Sequence, residues 1–180
     1  MRFPLLLAAL FVVPAVAAEL EGVKMPGAVS VEGKDLKLNG QGLRRYFVNV
    51  FVAGLYLEGR SSDGAAILAK DEVRRLDLSM LRDVDRKRFV ASVEESFEKN
   101  AAEKWPALKE RFEKFAAAIP DLKKGQSLVV NYTPGKGTRV DGQGASYSAE
   151  GKDFADAYFA AWIGKAPIDD GLKKGLLGAR

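Results

Sequence analysis

The chain has 180 residues, with 28 Lys and Arg against 24 Asp and Glu, 47% hydrophobic residues, and neither Cys nor His. Those two zeros exclude disulfides, thiolate nucleophiles, imidazole bases and zinc held by Cys or His, so any proton chemistry must run through Asp, Glu, Lys, Tyr or water. With 29% charged and 9% aromatic residues the composition suits one folded domain, and the small positive surplus, with no basic run interleaved with aromatics, argues against a nucleic-acid partner.

Met1-Arg2, the apolar stretch Phe3 to Val13 and the small-residue site Pro14-Ala15-Val16-Ala17 have the pattern of a secretory signal peptide. Cleavage after Ala17 is expected, giving a signal over residues 1–17 and one domain over residues 18–180. The apolar stretch is shorter than the roughly 20 residues that span a bilayer, and no later stretch is apolar enough, so no stable membrane anchor is expected after cleavage. A cysteine-free exported chain of this size points to a Gram-negative periplasm, since small secreted eukaryotic domains rely on disulfides.

Val29-Ser30-Val31 and Leu36-Lys37-Leu38 alternate around Gly33-Lys34-Asp35 and predict a hairpin. Tyr46 to Leu57 predicts one long strand, apolar on both faces and therefore covered on both sides. Arg75 to Leu81 alternates as a half-buried strand. Asp83 or Asp85 can cap a following helix with Phe89, Val93 and Phe97 on its apolar stripe, and a second helix starting near Pro106 buries Leu108, Phe112 and Phe115. Strands return at Leu128 to Tyr132 and, after a hairpin around Asp141-Gly142-Gln143-Gly144, at Ala145 to Ala149. Two closing helices follow, one with Phe154, Tyr158 and Trp162 on one face, the other capped by Asp169 or Asp170. This order predicts an α+β domain with helices segregated against a mostly antiparallel sheet.

Polar groups inside apolar segments are the candidate ligand contacts: Arg44 with its neighbour Arg45, Tyr46, Asn49, Arg82, Asn131 and Tyr132. Arg44 can hold a carboxylate or phenolate by a two-pronged hydrogen bond, and only one of Arg44 and Arg45 can face a cleft in a regular strand. The bland readings are packing for the tyrosines, backbone satisfaction for the asparagines, and a salt bridge from Arg82 to Asp83 or Asp85. Those two aspartates read as helix caps, and no metal site is expected. Gly135-Lys136-Gly137-Thr138 lacks the earlier Gly and the following helix of a phosphate loop, and no cofactor is expected.

The stretch Gly40-Gln41-Gly42-Leu43-Arg44, the aromatic strand Tyr46-Phe47-Val48-Asn49-Val50-Phe51, Gly54-Leu55-Tyr56-Leu57, the junction Leu81-Arg82-Asp83-Val84-Asp85 and the closing helices resemble the bacterial exported members of the chalcone isomerase superfamily, in order and over nearly the whole chain past residue 17. That resemblance implies an open-faced β-sandwich, a large antiparallel sheet packed against a layer of helices with a cleft between them. It makes Arg44 the counterpart of the arginine that positions the substrate oxyanion in plant chalcone isomerases, and thus catalytic if the chain is an enzyme. Phe51 and Val84 fall where the plant enzymes carry Thr and Tyr donors. Non-catalytic members of the superfamily bind fatty acids. The expectation is a periplasmic protein that binds a small amphipathic anion, a fatty acid or a phenolic compound, without turnover. The alternatives are an intramolecular lyase of chalcone isomerase type and a cell-envelope interaction module.

Overall fold

A computed structural model describes residues 18–141 and 146–179. The expected signal peptide and the turn at 142–145 lie outside the described residues. A seven-stranded sheet runs in chain order through β3 (Ala28–Val31), β4 (Lys34–Tyr46), β5 (Val48–Leu57), β6 (Arg74–Met80), β7 (Ser127–Thr133), β8 (Gly137–Asp141) and β9 (Ser146–Ala149), every neighbouring pair antiparallel. A separate hairpin of β1 (Ala18–Leu20) and β2 (Val23–Met25) precedes it. Helix α1 (Gly64–Ala69) sits between β5 and β6, α2 (Arg86–Asn100) and α3 (Trp105–Ala117) between β6 and β7, and α4 (Lys152–Ile163) and α5 (Asp170–Leu176) close the chain.

Strand β5 is covered on both faces, as its two apolar stripes predict. Phe51, Ala53, Leu55 and Leu57 enter the main core against the helices, while Val52 and Tyr56 join a second core with Met25, Leu36, Leu38 and Val73. The main core is aromatic. Phe97 meets Phe112 and Phe154 with ring centroids 5.0 and 5.3 Å apart, and Phe115 meets Tyr158 at 5.0 Å. Helices α2, α3 and α4 thereby lock to one another over the sheet, aromatic pairs adding to the burial of their area.

The expected strand from Tyr46 to Leu57 is in fact two elements. Tyr46 ends β4, the chain reverses at Phe47, whose φ is +57°, and β5 begins at Val48, with Tyr46 opposite Val48 and Arg45 opposite Asn49. The alternation of apolar residues runs unbroken through this reversal, which has no Gly or Pro to mark it, so periodicity alone reads through the turn. The strand before it is correspondingly longer than the Leu36 to Leu38 segment of the expected hairpin. That hairpin turns at Glu32-Gly33, both at positive φ. The β6 strand lies one residue earlier than expected, and β1, β2 and α1 had no counterpart in the sequence reading.

The length of β4 has a packing cause. A register irregularity between Leu38 and Gly40 switches the strand's faces, so Gly40, Gly42 and Arg44 stand opposite Leu55, Ala53 and Phe51 on the helix side. A Cβ on Gly40 would collide with the Gly175 carbonyl oxygen, and one on Gly42 with the Leu172 carbonyl oxygen. Gly175 in turn lies against the Gln41 carbonyl. The Gly40-x-Gly42 pair is thus the seat on which α5 lies backbone to backbone.

Candidate ligand cleft

A cavity of about 640 Å³ opens between the end of the β4–β5 hairpin, the β6–α2 junction and α2. That volume falls within the range of small-molecule sites. Its apolar part is made by Val50 and Phe51 of β5, Val84, Phe89 and Val93, and Ile168 before α5. Behind it, Trp162 packs against Phe51 and Phe89, with centroids 6.2 and 6.4 Å away. Phe89 and Val93 reach the cavity because they follow each other at helical spacing on α2, and Phe51 because it occupies the helix side of β5.

The polar part forms a mouth of Arg44, Arg82, Arg88, Lys123 and the three carboxylates Asp83, Asp85 and Asp121, with Asp169 bonded to Arg44. Arg44 donates from a terminal nitrogen to Asp169 Oδ2 at 2.6 Å, with both side chains roughly four-fifths covered. Asp85 Oδ1 accepts the Arg88 backbone N–H at 3.0 Å as the cap of α2. Asp83 accepts the Lys124 backbone N–H at 2.9 Å and the Lys123 ammonium at 3.3 Å, and these contacts hold its carboxyl below the ordinary aspartate value. Asp121 accepts the Arg86 backbone N–H at 3.3 Å. The carboxylates of the mouth therefore all have donors. Among the described residues, neither Arg82 nor Arg88 forms an ion pair, and both are exposed.

Of the six candidate ligand contacts, the fold brings Arg44, Tyr46 and Arg82 to this cavity. Arg44, not Arg45, is the arginine that lines it; Arg45 is exposed at the hairpin end. The salt bridge from Arg82 to Asp83 or Asp85 does not form, because Asp83 turns to Lys123 and Lys124 and Asp85 to the helix it caps. Asn49 lies outside the cavity, donating to Glu21 at 2.8 Å. Asn131 and Tyr132 are at the other end of the sheet: β7 pairs Asn131 with Arg75 and Tyr132 with Arg74, whereas Phe51, beside Arg44, pairs with Met80. Five strand residues separate Arg75 from Met80 and six separate Arg74 from it, or about 17–20 Å. Tyr132 is buried there, its hydroxyl donating to Asp71 and its ring 5.1 Å from the Arg74 guanidinium, and burial together with Asp71 raises its pKa.

Arg88 and Ser92 were missed in the sequence. The available signal was their spacing of four, which runs parallel to the apolar pair Phe89 and Val93 and marks the polar edge of the same helix face. No group of three or more acidic residues suited to a metal is found among the described residues.

The profile of the chalcone isomerase-like family matches residues 17–178. The chain belongs to the chalcone isomerase-like family. A search of curated proteins finds no match. Among solved structures, this chalcone isomerase-like chain resembles a fatty-acid binding protein of Arabidopsis thaliana with a TM-score of 0.64 and 15% identity, over 90% of this chain and 95% of that one. At that identity the likeness shows the fold. The chalcone isomerase-like sheet and helix layer, expected from the resemblance, are the architecture found.

Proposed function

We propose that this protein is a periplasmic binder of an amphipathic carboxylate, such as a fatty acid, which it holds without turnover. One observation carries the reading: an apolar cavity whose mouth presents Arg82 and Arg88 without carboxylate partners among the described residues, beside an Arg44 held in place by Asp169. An aliphatic chain would lie on Phe51, Phe89 and Val93 and its carboxylate would meet the guanidinium groups, a charge-assisted contact stronger than a neutral hydrogen bond. The fatty-acid binding of a protein with this fold supports the ligand class. Phe51 and Val84 both line the cavity. Neither side chain can donate a hydrogen bond to a developing oxyanion, which favours binding over an intramolecular lyase reaction, where each missing donor costs on the order of 10²–10³ in rate. The charged start, apolar stretch and small-residue site of residues 1–17 are the basis for the exported location.

Calorimetry of the delipidated mature protein with decanoate tests the reading. Wild type should bind, and Arg44→Ala and Arg82→Ala should each weaken binding by roughly tenfold or more. Equal binding by all three proteins, or none by any, overturns it. Turnover is tested with naringenin chalcone followed by its visible absorbance. A rate above spontaneous cyclisation that Arg44→Ala removes would establish the lyase instead. Periplasmic location predicts that protein recovered from that compartment begins at Ala18, as N-terminal sequencing would read.

A further inference from the structure

We propose that the tip of the β4–β5 hairpin, Tyr46-Phe47-Val48, docks this protein onto a lipid bilayer that carries anionic headgroups. Tyr46, Phe47 and Val48 are 67%, 89% and 46% exposed, and among the described residues they are the large hydrophobic side chains left in solvent. They are consecutive and project from the end of two long paired strands, the Tyr46 and Phe47 rings meeting edge to face at 4.9 Å. At Phe47 the backbone takes a left-handed conformation with φ of +57°. Turns that need this conformation favour Gly or Asn, although Glu21 and Glu32 also adopt it in this chain. Here an aromatic stands instead, and it packs into neither hydrophobic core.

Charge selects the occupant. Arg45 beside the tip and Arg82 and Arg88 at the adjoining cavity mouth are exposed and, among the described residues, make no ion pair. Of the nearby carboxylates, Asp169 is paired with Arg44 and Asp83 with Lys123, while Asp85 and Asp121 accept from backbone N–H groups of α2 and Glu21 from Asn49 rather than from these arginines. A small apolar wedge with Arg45 beside it and Arg82 and Arg88 at the adjoining cavity mouth matches an anionic interface, where the rings enter the headgroup region and the guanidinium groups stay at phosphate level. Three side chains are too little for a stable protein interface, which buries about 800 Å² on each partner. Tyr46 also lines the cavity. A bilayer seated on the tip would therefore lie at the mouth of the cleft, through which an amphipathic molecule could pass between the two.

Sedimentation of the mature protein with vesicles tests this. Wild type should bind vesicles of equal phosphatidylglycerol and phosphatidylcholine, bind pure phosphatidylcholine far less, and release as salt rises. Phe47→Asn, which suits the left-handed turn, should weaken binding about tenfold, and Arg45→Glu with Arg82→Glu by at least fivefold for each charge removed. Phe47→Trp should gain quenching by brominated lipid that wild type lacks. The proposal is overturned if wild type does not bind the anionic vesicles, if Phe47→Asn binds as well as wild type, or if the tip instead mediates a dimer that Phe47→Asn dissolves. Decanoate binding measured without vesicles is independent of these outcomes, so failure of the docking and failure of the ligand reading are separable.

Discussion

Asp169 ties Arg44 to the start of the last helix: its Oδ1 accepts the Leu172 backbone N–H of α5 at 2.6 Å while its Oδ2 holds the Arg44 guanidinium, also at 2.6 Å. Gly40 and Gly42, four and two residues before Arg44 on the same face of β4, seat the backbone of that helix. The Gly40-x-Gly42-x-Arg44 sequence is thus one packing unit, two residues without side chains to admit α5 and one long side chain to reach its cap. Its glycines serve the helix and its arginine serves both the helix and the cleft.

Separating those roles gives the first prediction. Asp169→Asn keeps a capping side chain but removes the charge that holds Arg44. Stability should fall by less than about 1 kcal/mol, since Asn caps as well as Asp and the lost pair is partly exposed. The released Arg44 should bind decanoate about fivefold tighter by calorimetry, because a competing internal carboxylate is gone. Asp169→Ala should lose about another 1 kcal/mol through the cap.

Gly42→Ala should destabilise the fold by about 1–3 kcal/mol in urea denaturation, the usual cost of inserting a methyl into a filled contact. The added carbon would meet the Leu172 carbonyl oxygen, a backbone atom that moves only if α5 lifts. A neutral result would mean that α5 is not seated on β4.

Ser92→Phe should close the cleft without disturbing the core. Ser92 lines the cavity from α2 and is only partly covered, so a larger side chain has room to enter the void. The melting temperature should stay within a few degrees of wild type, while decanoate binding falls at least tenfold, the measurement being calorimetry on both proteins.

Asp153 predicts an acid-side dependence of stability. Its pKa is lowered chiefly by the Arg111 guanidinium, which donates to its two oxygens at 3.0 and 2.7 Å, against an opposing effect of burial. A carboxyl depressed in the folded state binds protons more readily when unfolded, so its contribution is present above the ordinary aspartate value of 3.8 and is lost as pH falls through the lower folded value. Asp153→Asn should therefore melt below wild type at pH 7, by less than about 1 kcal/mol for this partly exposed pair, with the gap closing below pH 3.8. A gap that is constant with pH would exclude the linkage.

Phe47→Asn should stabilise the protein by up to about 1 kcal/mol, because Asn tolerates the left-handed turn better than an aromatic residue does. Thermal denaturation without vesicles checks this apart from any docking.

The sequence by itself determined what local periodicity and short-range hydrogen bonds control. The two apolar faces of β5, the stripe Phe89, Val93 and Phe97 of α2, and the caps, narrowed to Asp83 or Asp85 and to Asp169 or Asp170, were legible because a side chain's face and a cap's donor lie within a few residues, and the structure chose Asp85 and Asp169. Composition also fixed the absence of His and Cys chemistry. Only the tertiary structure decided which strand ends meet. Asn131 and Tyr132 read as polar groups in an apolar strand like the one after Arg44, but β7 pairs with β6 so as to place them at the far end of the sheet. The reversal at Phe47 was hidden because nothing in its side chain demands a turn. The same reversal leaves three apolar residues in solvent beside the cleft. Pairing register and helix seating depend on residues far apart in the chain, such as Gly42 and Leu172, and no local pattern encodes the distance between them.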